Sequence, residues 1–380
     1  MRILYSAIDQ AVPGTKGGSV HVQAVAEGLA ALGHDVHALV SPGSGPFPPG
    51  RVKWRALLPP FGMNQLRWLR SSAVGRIVDD LRPDVIMERY YNFGGEAIPH
   101  APRAGALAVL EVNAPVIDYP GSRKALVDRL LIVQPMRTWR ERLCAASDVI
   151  VTPSAAILPP GTPAAKILEV EWGADTERFN PQRPGSMPGL SGTIAVFAGA
   201  FRNWHGAIHF ARALKALRAR GRQDIGGLFV GDGPELAAVR AELDGQPNVL
   251  VTGAVAHESM PNVLAAAHIG VAPFDLQQHK PLALGFYWSP LKIFEYMASG
   301  LPVVAPRVAR IPQLVEHGRE GWLYDPADPD GLADALARLT DETLRTTLGT
   351  NARARALREY SWRAHCEALD RRFTSARAAR

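Results

Sequence analysis

Short apolar runs alternate along the chain with stretches whose apolar residues recur every three or four positions. This alternation predicts βαβ units and parallel sheets. The first run, 2–7, leads through a loop with Gly14, Gly17 and Gly18 into a helix predicted over 19–32. Val22, Val25, Ala26, Leu29 and Leu32 share one face of it, and Gly33 closes it at the C′ position. Further strands are predicted at 36–40, 85–87, 108–111, 149–151 and 167–170. The pattern breaks over 173–192, where Pro181, Pro184, Gly185, Pro188, Gly189 and Gly192 read as an interdomain linker. It then restarts, with strands at 193–198, 227–230, 249–251, 269–272, 303–305 and 321–324. Helices fall between them at 207–220, 235–243, 260–267, 290–299, 312–317 and 330–339. The last stretch, 343–377, reads as amphipathic helix broken near Ser361. The chain thus predicts two doubly wound domains of similar size facing each other across a cleft. In such sheets ligands gather at the carboxyl ends of the strands.

Composition narrows the class. The 380 residues are 47% hydrophobic and 21% charged, which fits two ordinary globular domains and excludes a disordered chain. Two cysteines, Cys144 and Cys366, make neither a disulfide framework nor a cysteine-rich zinc site, and read as free thiols. The N-terminal residues are too short an apolar run and too soon acidic for a signal peptide. No window approaches the roughly 18 unbroken apolar residues of a membrane span. The expected location is cytoplasmic. The net charge of +6 is spread evenly, with 20 basic and 17 acidic residues in 1–190 and 22 and 19 in the remainder. A nucleic-acid binder concentrates its charge on one element, so nucleic acid is not expected as a partner.

Four stretches carry candidate chemistry. Gly17-Gly18-Ser19 joins a strand to a helix start, where bare backbone N–H groups suit an anion. The spacing is not G-x-G-x-x-G, so a nicotinamide cofactor is not expected, and a plain βα turn remains an alternative. The run from Phe197 to Gly206 repeats the arrangement with Arg202 and His205. A guanidinium there can clamp phosphate bidentately, while His205 serves either as a phosphate donor or as a cap. Gly231-Asp232-Gly233-Pro234 closes a strand, as a loop or as a simple turn. The run from Ser289 to Val304 is the richest. Ser289 is expected to N-cap a helix with Pro290 at N1, followed by Leu291. Lys292 and Glu295, three apart, share one face. A carboxylate there can accept both hydroxyls of a ribose, or the pair is only a surface ion pair.

These residues carry a resemblance. The run from Ser289 to Val304 resembles the donor-site helix of the family 4 glycosyltransferases, and other pieces agree in the right order. They are Gly17-Gly18, the runs 87–91 and 110–115, 146–154, Asp175 to Pro181 (similar to G-V-D-x-x-x-F-x-P), 201–206, 231–234 and 317–321. The resemblance spans nearly the whole chain. It implies the GT-B fold: two facing Rossmann-like parallel-sheet domains, with a C-terminal helix crossing back to the first. The expected division is an acceptor-side domain over 1–175, a linker over 176–192, a nucleotide-sugar domain over 193–358 and the returning helix over 359–380. It also implies retaining transfer of a hexose-type sugar from a UDP-, GDP- or TDP-linked donor, with no metal and no cofactor. The acceptor would be a glycan, a lipid-linked glycan or a metabolite, as in polysaccharide biosynthesis. Glu295 would accept the ribose hydroxyls. Arg202, His205 and Lys292 would neutralise the pyrophosphate, beside Gly17, Gly18, Gly231, Asp232, Ser289 and Leu291.

Departures from the family pattern bear on this. Tyr287 stands at the first glutamate of the E-x7-E motif, Ala200 at the usual phosphate arginine, and His205 where lysine is common. Ala309, Arg310 and Gln313 replace a glycine pair and a glutamate. No first-domain catalytic histidine is evident, and Glu111 or Asn113 lies near its position; with Arg202 and Lys292 they complete the candidate catalytic set. A catalytically idle binding module and a sugar-nucleotide epimerase on the same fold are the alternatives. Finally, 62–81 places Leu66, Leu69, Ala73, Ile77 and Leu81 on one face, with Arg67, Trp68, Arg70 and Arg76 around it. That reads either as a basic amphipathic helix resting on the inner face of the membrane or as a domain helix with a solvated basic face. The terminal arginines from Arg371 to Arg377 would add to lipid attraction or form a solvated end.

Overall fold

In the computed structural model the chain forms two units, and residues 1–122, 125, 126, 128, 135–183, 185 and 189–380 are described. Pro184 and Pro188 of the expected linker lie outside the described residues. One unit comprises Met1–Trp172, Tyr287–Ser289 and Trp362–Arg380, the other Gly173–Phe286 and Pro290–Ser361.

The strands of the first unit are β1 (Arg2–Val12), β2 (Asp35–Pro42), β3 (Lys53–Ala56), β4 (Val85–Arg89), β5 (Leu107–Glu111), β6 (Val149–Thr152) and β7 (Ile167–Glu169). They form one parallel sheet in the order β3-β2-β1-β4-β5-β6-β7. The second unit has β8 (Thr193–Ala198), β9 (Ile225–Val230), β10 (Val249–Gly253), β11 (Ile269–Val271), β12 (Val303–Pro306) and β13 (Gly321–Tyr324), ordered β10-β9-β8-β11-β12-β13 and again parallel. The strand order reverses between β1 and β4 in one sheet and between β8 and β11 in the other. Those switch points are where doubly wound sheets open a crevice for ligands.

The longer helices are α1 (Gly17–Ala31), α2 (Ser71–Leu81), α3 (Ala101–Ala104), α4 (Pro135–Ala146), α5 (Ala207–Ala219), α6 (Leu236–Glu242), α7 (Met260–Ala265), α8 (Leu291–Ala298), α9 (Ile311–Leu314), α10 (Gly331–Arg338), α11 (Glu342–Glu359) and α12 (Trp362–Ala378). α1 buries Val22, Val25, Ala26 and Leu29 as its spacing predicts, but Leu32 falls past the helix end and is exposed. α12 belongs to the first unit, as the resemblance implies. Cys366, Leu369 and Phe373 complete the core formed by α1 with β1 and β2. The close fit has a local cause: a Cβ on Gly28 of α1 would stand 2.5 Å from the Cys366 sulfur. Burial pushes the Cys366 thiol up to about 12 and the Cys144 thiol up to about 11, so neither ionises near neutrality.

Two expectations fail here for physical reasons. Ser289 does not cap α8: Pro290 precedes the helix without a side-chain cap, and the Ser289 hydroxyl donates to Glu171 at 2.7 Å. The basic amphipathic helix over 62–81 is not continuous either. A 3₁₀ segment, Asn64–Arg70, precedes α2, which buries Val74, Gly75 and Val78 and, of the expected stripe, Leu81 alone. Arg67 faces inward and is fully buried. The terminal arginines are engaged too. Arg377 pairs with Asp84 and Arg380 with Asp148, each at 2.7 Å, and Arg372 donates to the Ala165 carbonyl.

Candidate functional site

In the second unit, the loops that leave β8 and β9 close on each other. A Cβ on Gly231 would stand 2.0 Å from the Gly199 carbonyl oxygen, so glycine is needed for the two backbones to meet. Phe201 N–H donates to the Asp232 carbonyl at 2.9 Å, and the Asp232 side chain accepts from Gly233 N–H at 2.7 Å. Asp232 therefore serves as turn chemistry in this loop. The first residues after the β8 loop form a 3₁₀ turn, Asn203–His205, and α5 follows Gly206. Gly206 has φ 74°, and a Cβ there would strike the Pro273 carbonyl at 1.7 Å.

α8 is fixed against this loop from two sides. Tyr296 accepts the Ala198 N–H at 2.7 Å, and its ring packs on Gly270 of β11, where a Cβ would come within 2.4 Å. At the helix C-terminus, Arg353 of α11 donates to the Ala298, Phe179 and Thr176 carbonyls. α8 then presents Lys292 at its first turn. The Lys292 Nζ lies 4.1 Å from the Phe197 ring centre and 5.4 Å from that of Phe274. It stands over Gly199: a Cβ on that glycine would be 3.3 Å away. The ammonium is sealed from water and has no hydrogen-bond partner among the described residues. Burial lowers its pKa to about 7, with Glu295 opposing. Burial likewise raises the Glu295 carboxyl to about 7, against the pull of Lys292 and Arg178. The His205 Nδ1 donates to the Ala200 carbonyl at 2.5 Å. Burial, then Lys292 and Arg202, pull its pKa down to about 3, so it is neutral. Arg202 itself is exposed. The site thus holds an exposed arginine, Arg202, and a buried amine, Lys292 Nζ, that lacks a hydrogen-bond partner among the described residues, beside the side-chain-free Gly199.

The first unit carries a separate cluster at the ends of β1, β4 and β5. Glu111 is 1% exposed, and its two oxygens are taken: His21 Nε2 bonds one, and Tyr5 donates to the other at 2.6 Å. Arg89 stands 3.6 Å from the same carboxylate and 3.4 Å from Asp9. Burial alone would raise the Glu111 pKa, but His21, Arg89 and Tyr5 outweigh it and hold it down to about 2. Burial lowers the His21 pKa more than Glu111 raises it. Trp172 lies against the His21 ring at 4.4 Å between centres. Its indole N–H donates to Asn113 Oδ1 at 2.8 Å and its backbone N–H to Ser289 at 2.9 Å. The Asn113 Nδ2 is buried without a partner among the described residues. His365 of α12 meets the Glu171 carbonyl at 2.7 Å.

The structure therefore gathers Arg202, His205, Gly231, Asp232, Leu291, Lys292 and Glu295 within the second unit. Glu111, Asn113, Ser289, Gly17 and Gly18 belong to the first. Gly17 and Gly18 open α1; a Cβ on Gly18 would stand 2.2 Å from the Gln10 amide oxygen. Sequence reasoning missed His21, Arg89, Trp172 and His365. His21 and His365 sit on helix faces that read as core, and nothing local marks their meeting.

Two family models match the chain. "Glycosyltransferase Family 4" matches residues 15–158 and "Glycosyl transferases group 1" residues 192–342, one in each unit. The chain belongs to the family 4 glycosyltransferases. It is 29% identical over 245 residues to the sulfoquinovosyl transferase SQD2 of Arabidopsis thaliana, which covers 61% of this chain and 46% of that one. The chain spans about half the length of the curated relatives it matches. Among solved structures, a glycosyltransferase from Rickettsia africae superposes with a TM-score of 0.72 at 14% identity, covering 99% of this chain and 98% of that one. HepE of Anabaena in complex with UDP and glucose gives 0.64 at 17% identity, covering 99% and 100%. The fold of this family 4 chain is GT-B.

Proposed function

We propose that this protein is a retaining glycosyltransferase that moves a hexose-type sugar from a nucleoside diphosphate sugar to a hydroxyl acceptor. The observation that carries the reading is Lys292: an ammonium sealed against Phe197 and Phe274, beside the side-chain-free Gly199, with no hydrogen-bond partner among the described residues. A buried polar group left unpaired costs about 1–3 kcal/mol. A diphosphate bound over Gly199 offsets that cost by supplying the missing anion and restoring the charge of the amine. HepE, the GT-B protein solved with UDP and glucose, supports the same class of donor.

In this reading Glu295 accepts the two ribose hydroxyls, which requires the ionised carboxylate. Lys292 and Arg202 stabilise charge as it builds on the departing phosphate, where preplaced donors are worth most. The bond from the anomeric carbon to the β-phosphate oxygen breaks, and a bond to the acceptor oxygen forms on the same face. The acceptor proton passes to the departing phosphate, with no call on a metal. Glu111, with both oxygens engaged, positions His21 and Arg89 and does not itself touch the sugar. Asn113, with a free Nδ2, is the first-unit group proposed to donate to a substrate oxygen.

Calorimetric titration with UDP, GDP, TDP and ADP tests the reading. One nucleotide should bind selectively without added metal. Glu295→Ala should weaken it about tenfold or more, the equivalent of about 1.4 kcal/mol. Unchanged affinity would remove Glu295 from the ribose, and no binding of any nucleotide by the folded protein would favour an idle module.

A further inference from the structure

The second unit holds a cavity of about 600 Å³ that the donor chemistry leaves unused. None of Arg202, His205, Lys292 or Glu295 lines it. It lies between α5 and α10, where the chain leaves β11, β12 and β13. That is the rim on which doubly wound sheets take ligands, and the volume falls in the range of about 300–1,000 Å³ usual for small-molecule sites. Part of the lining is apolar: Phe274, Leu276, Pro329 and Leu332. The polar part is His209 and Arg212 of α5, Asp275, Asp328 and Tyr324, the last residue of β13.

The charges of this lining are already matched. His209 Nε2 lies 3.3 Å from Asp275 Oδ2, and Asp275 Oδ1 accepts the Gln277 N–H at 3.0 Å. Arg212 Nε lies 3.5 Å from Glu242, and Asp328 accepts the Asp330 N–H at 3.0 Å. Each cation thus has a carboxylate and each carboxylate a donor, so no unpaired charge is left for a phosphate or an amine. What remains open is hydrogen-bonding capacity. A carboxylate has about four acceptor sites, and Asp275 and Asp328 use only part of theirs. The Tyr324 hydroxyl makes no hydrogen bond among the described residues. Burial, then Asp275, raises its pKa well above the ordinary range, so it stays a donor. The wall on the donor side is fixed: Asp275 N–H donates to the Trp204 carbonyl at 3.1 Å, and Asn203 Nδ2 to that of Gln278 at 3.2 Å.

We infer that this cavity is a second binding site, and that its ligand is a neutral saccharide. Such a ligand presents hydroxyl groups, which suit carboxylate acceptors and a tyrosine donor, and a C–H face, which suits Phe274, Leu276 and Leu332. An anionic ligand would meet Asp275 and Asp328. A purely apolar one would strip water from five polar side chains and return no hydrogen bond. The inference rests on this lining and stands apart from the donor reading, although Phe274 also borders Lys292, 5.4 Å from its Nζ.

An array of neutral and acidic oligosaccharides, probed with the labelled full chain, tests it, with saturation-transfer NMR on the saccharide that binds best. A neutral saccharide should bind. Tyr324→Phe, which removes one hydroxyl, should weaken it about threefold or more. Ala216→Trp, which fills the cavity from α5, should abolish it. Both variants should keep the thermal midpoint and the nucleotide affinity of the wild type. Lys292→Met should bind the saccharide as well as wild type does, because the two sites are separate. Binding of no saccharide, or of acidic ones alone, would overturn the inference. So would saccharide binding that survives Ala216→Trp and disappears in Lys292→Met, since the sugar would then occupy the donor site. A folded protein that binds nucleotide and no saccharide would reject this cavity and leave the transferase reading standing; one that binds saccharide here and no nucleotide would do the reverse.

Discussion

Lys292 is a residue kept for binding at a cost in folding. Its amine is charged in the unfolded chain up to about pH 10.5 and in the folded chain only to about 7, because burial disfavours the ammonium. Below pH 7 both states carry the proton, and the folded state bears the whole burial penalty. Between about 7 and 10.5 the unfolded chain binds the extra proton, so stability contributed by this group rises with pH. Lys292→Met should therefore stabilise the apo protein by about 1–3 kcal/mol, the scale of an unpaired buried group removed without a change of shape. The gain should be full at pH 6 and shrink toward pH 10, as measured by denaturant unfolding at both. The same variant should lose nucleotide binding and turnover. A variant less stable than wild type at pH 6 would mean that the amine is paired after all.

At the scale of elements, what was legible in the sequence follows burial. Strands β8 and β13 begin and end where their apolar runs do, and α1 buries four of the five residues on the face its spacing marks. β3 was invisible because an edge strand reading Lys-Trp-Arg-Ala carries no apolar run. The segment before α2 misread because Arg67 counted as a solvent-facing charge. Whether an arginine faces water or a buried acid depends on Asp9 and Glu96, which lie far away in sequence. The candidate site divides the same way. Lys292, Glu295 and the glycine loops could be read locally, whereas the His21, Glu111 and Arg89 cluster exists only once β1, β4 and β5 are side by side. The buried ion cluster makes a prediction at this scale. Arg67→Met would leave Glu96 a buried carboxylate without its counter-ion and Asp9 with Arg89 alone, at a cost of about 3–5 kcal/mol. Adding Glu96→Gln should recover part of that loss in urea unfolding. If Arg67→Met alone costs under about 1 kcal/mol, the pair is not holding the segment.

For the whole molecule, connectivity matters more than any one contact. The chain passes between the two units at Trp172, Phe286, Ser289 and Ser361, so the last of its helices, α12, belongs to the unit that contains the N-terminus. The core of that unit is incomplete without it. Leu369 and Phe373 are fully buried against α1 and the sheet, and each is worth about 1.5–3 kcal/mol by the area it removes from water. The two together, about 3–6 kcal/mol, reach the lower end of the roughly 5–15 kcal/mol that holds a domain folded. Removing residues 362–380 should therefore lower the unfolding transition of the first unit by far more than that of the second. Hydrogen exchange separates the two, since amides of β1 and α1 should lose protection while those of β8 and α5 keep theirs. The second unit retains Lys292, Glu295 and the glycine loops intact, so the truncated protein should still bind nucleotide while transfer is lost. Equal loss of protection in both units would instead mean that they fold as one cooperative body, with α12 stabilising the whole.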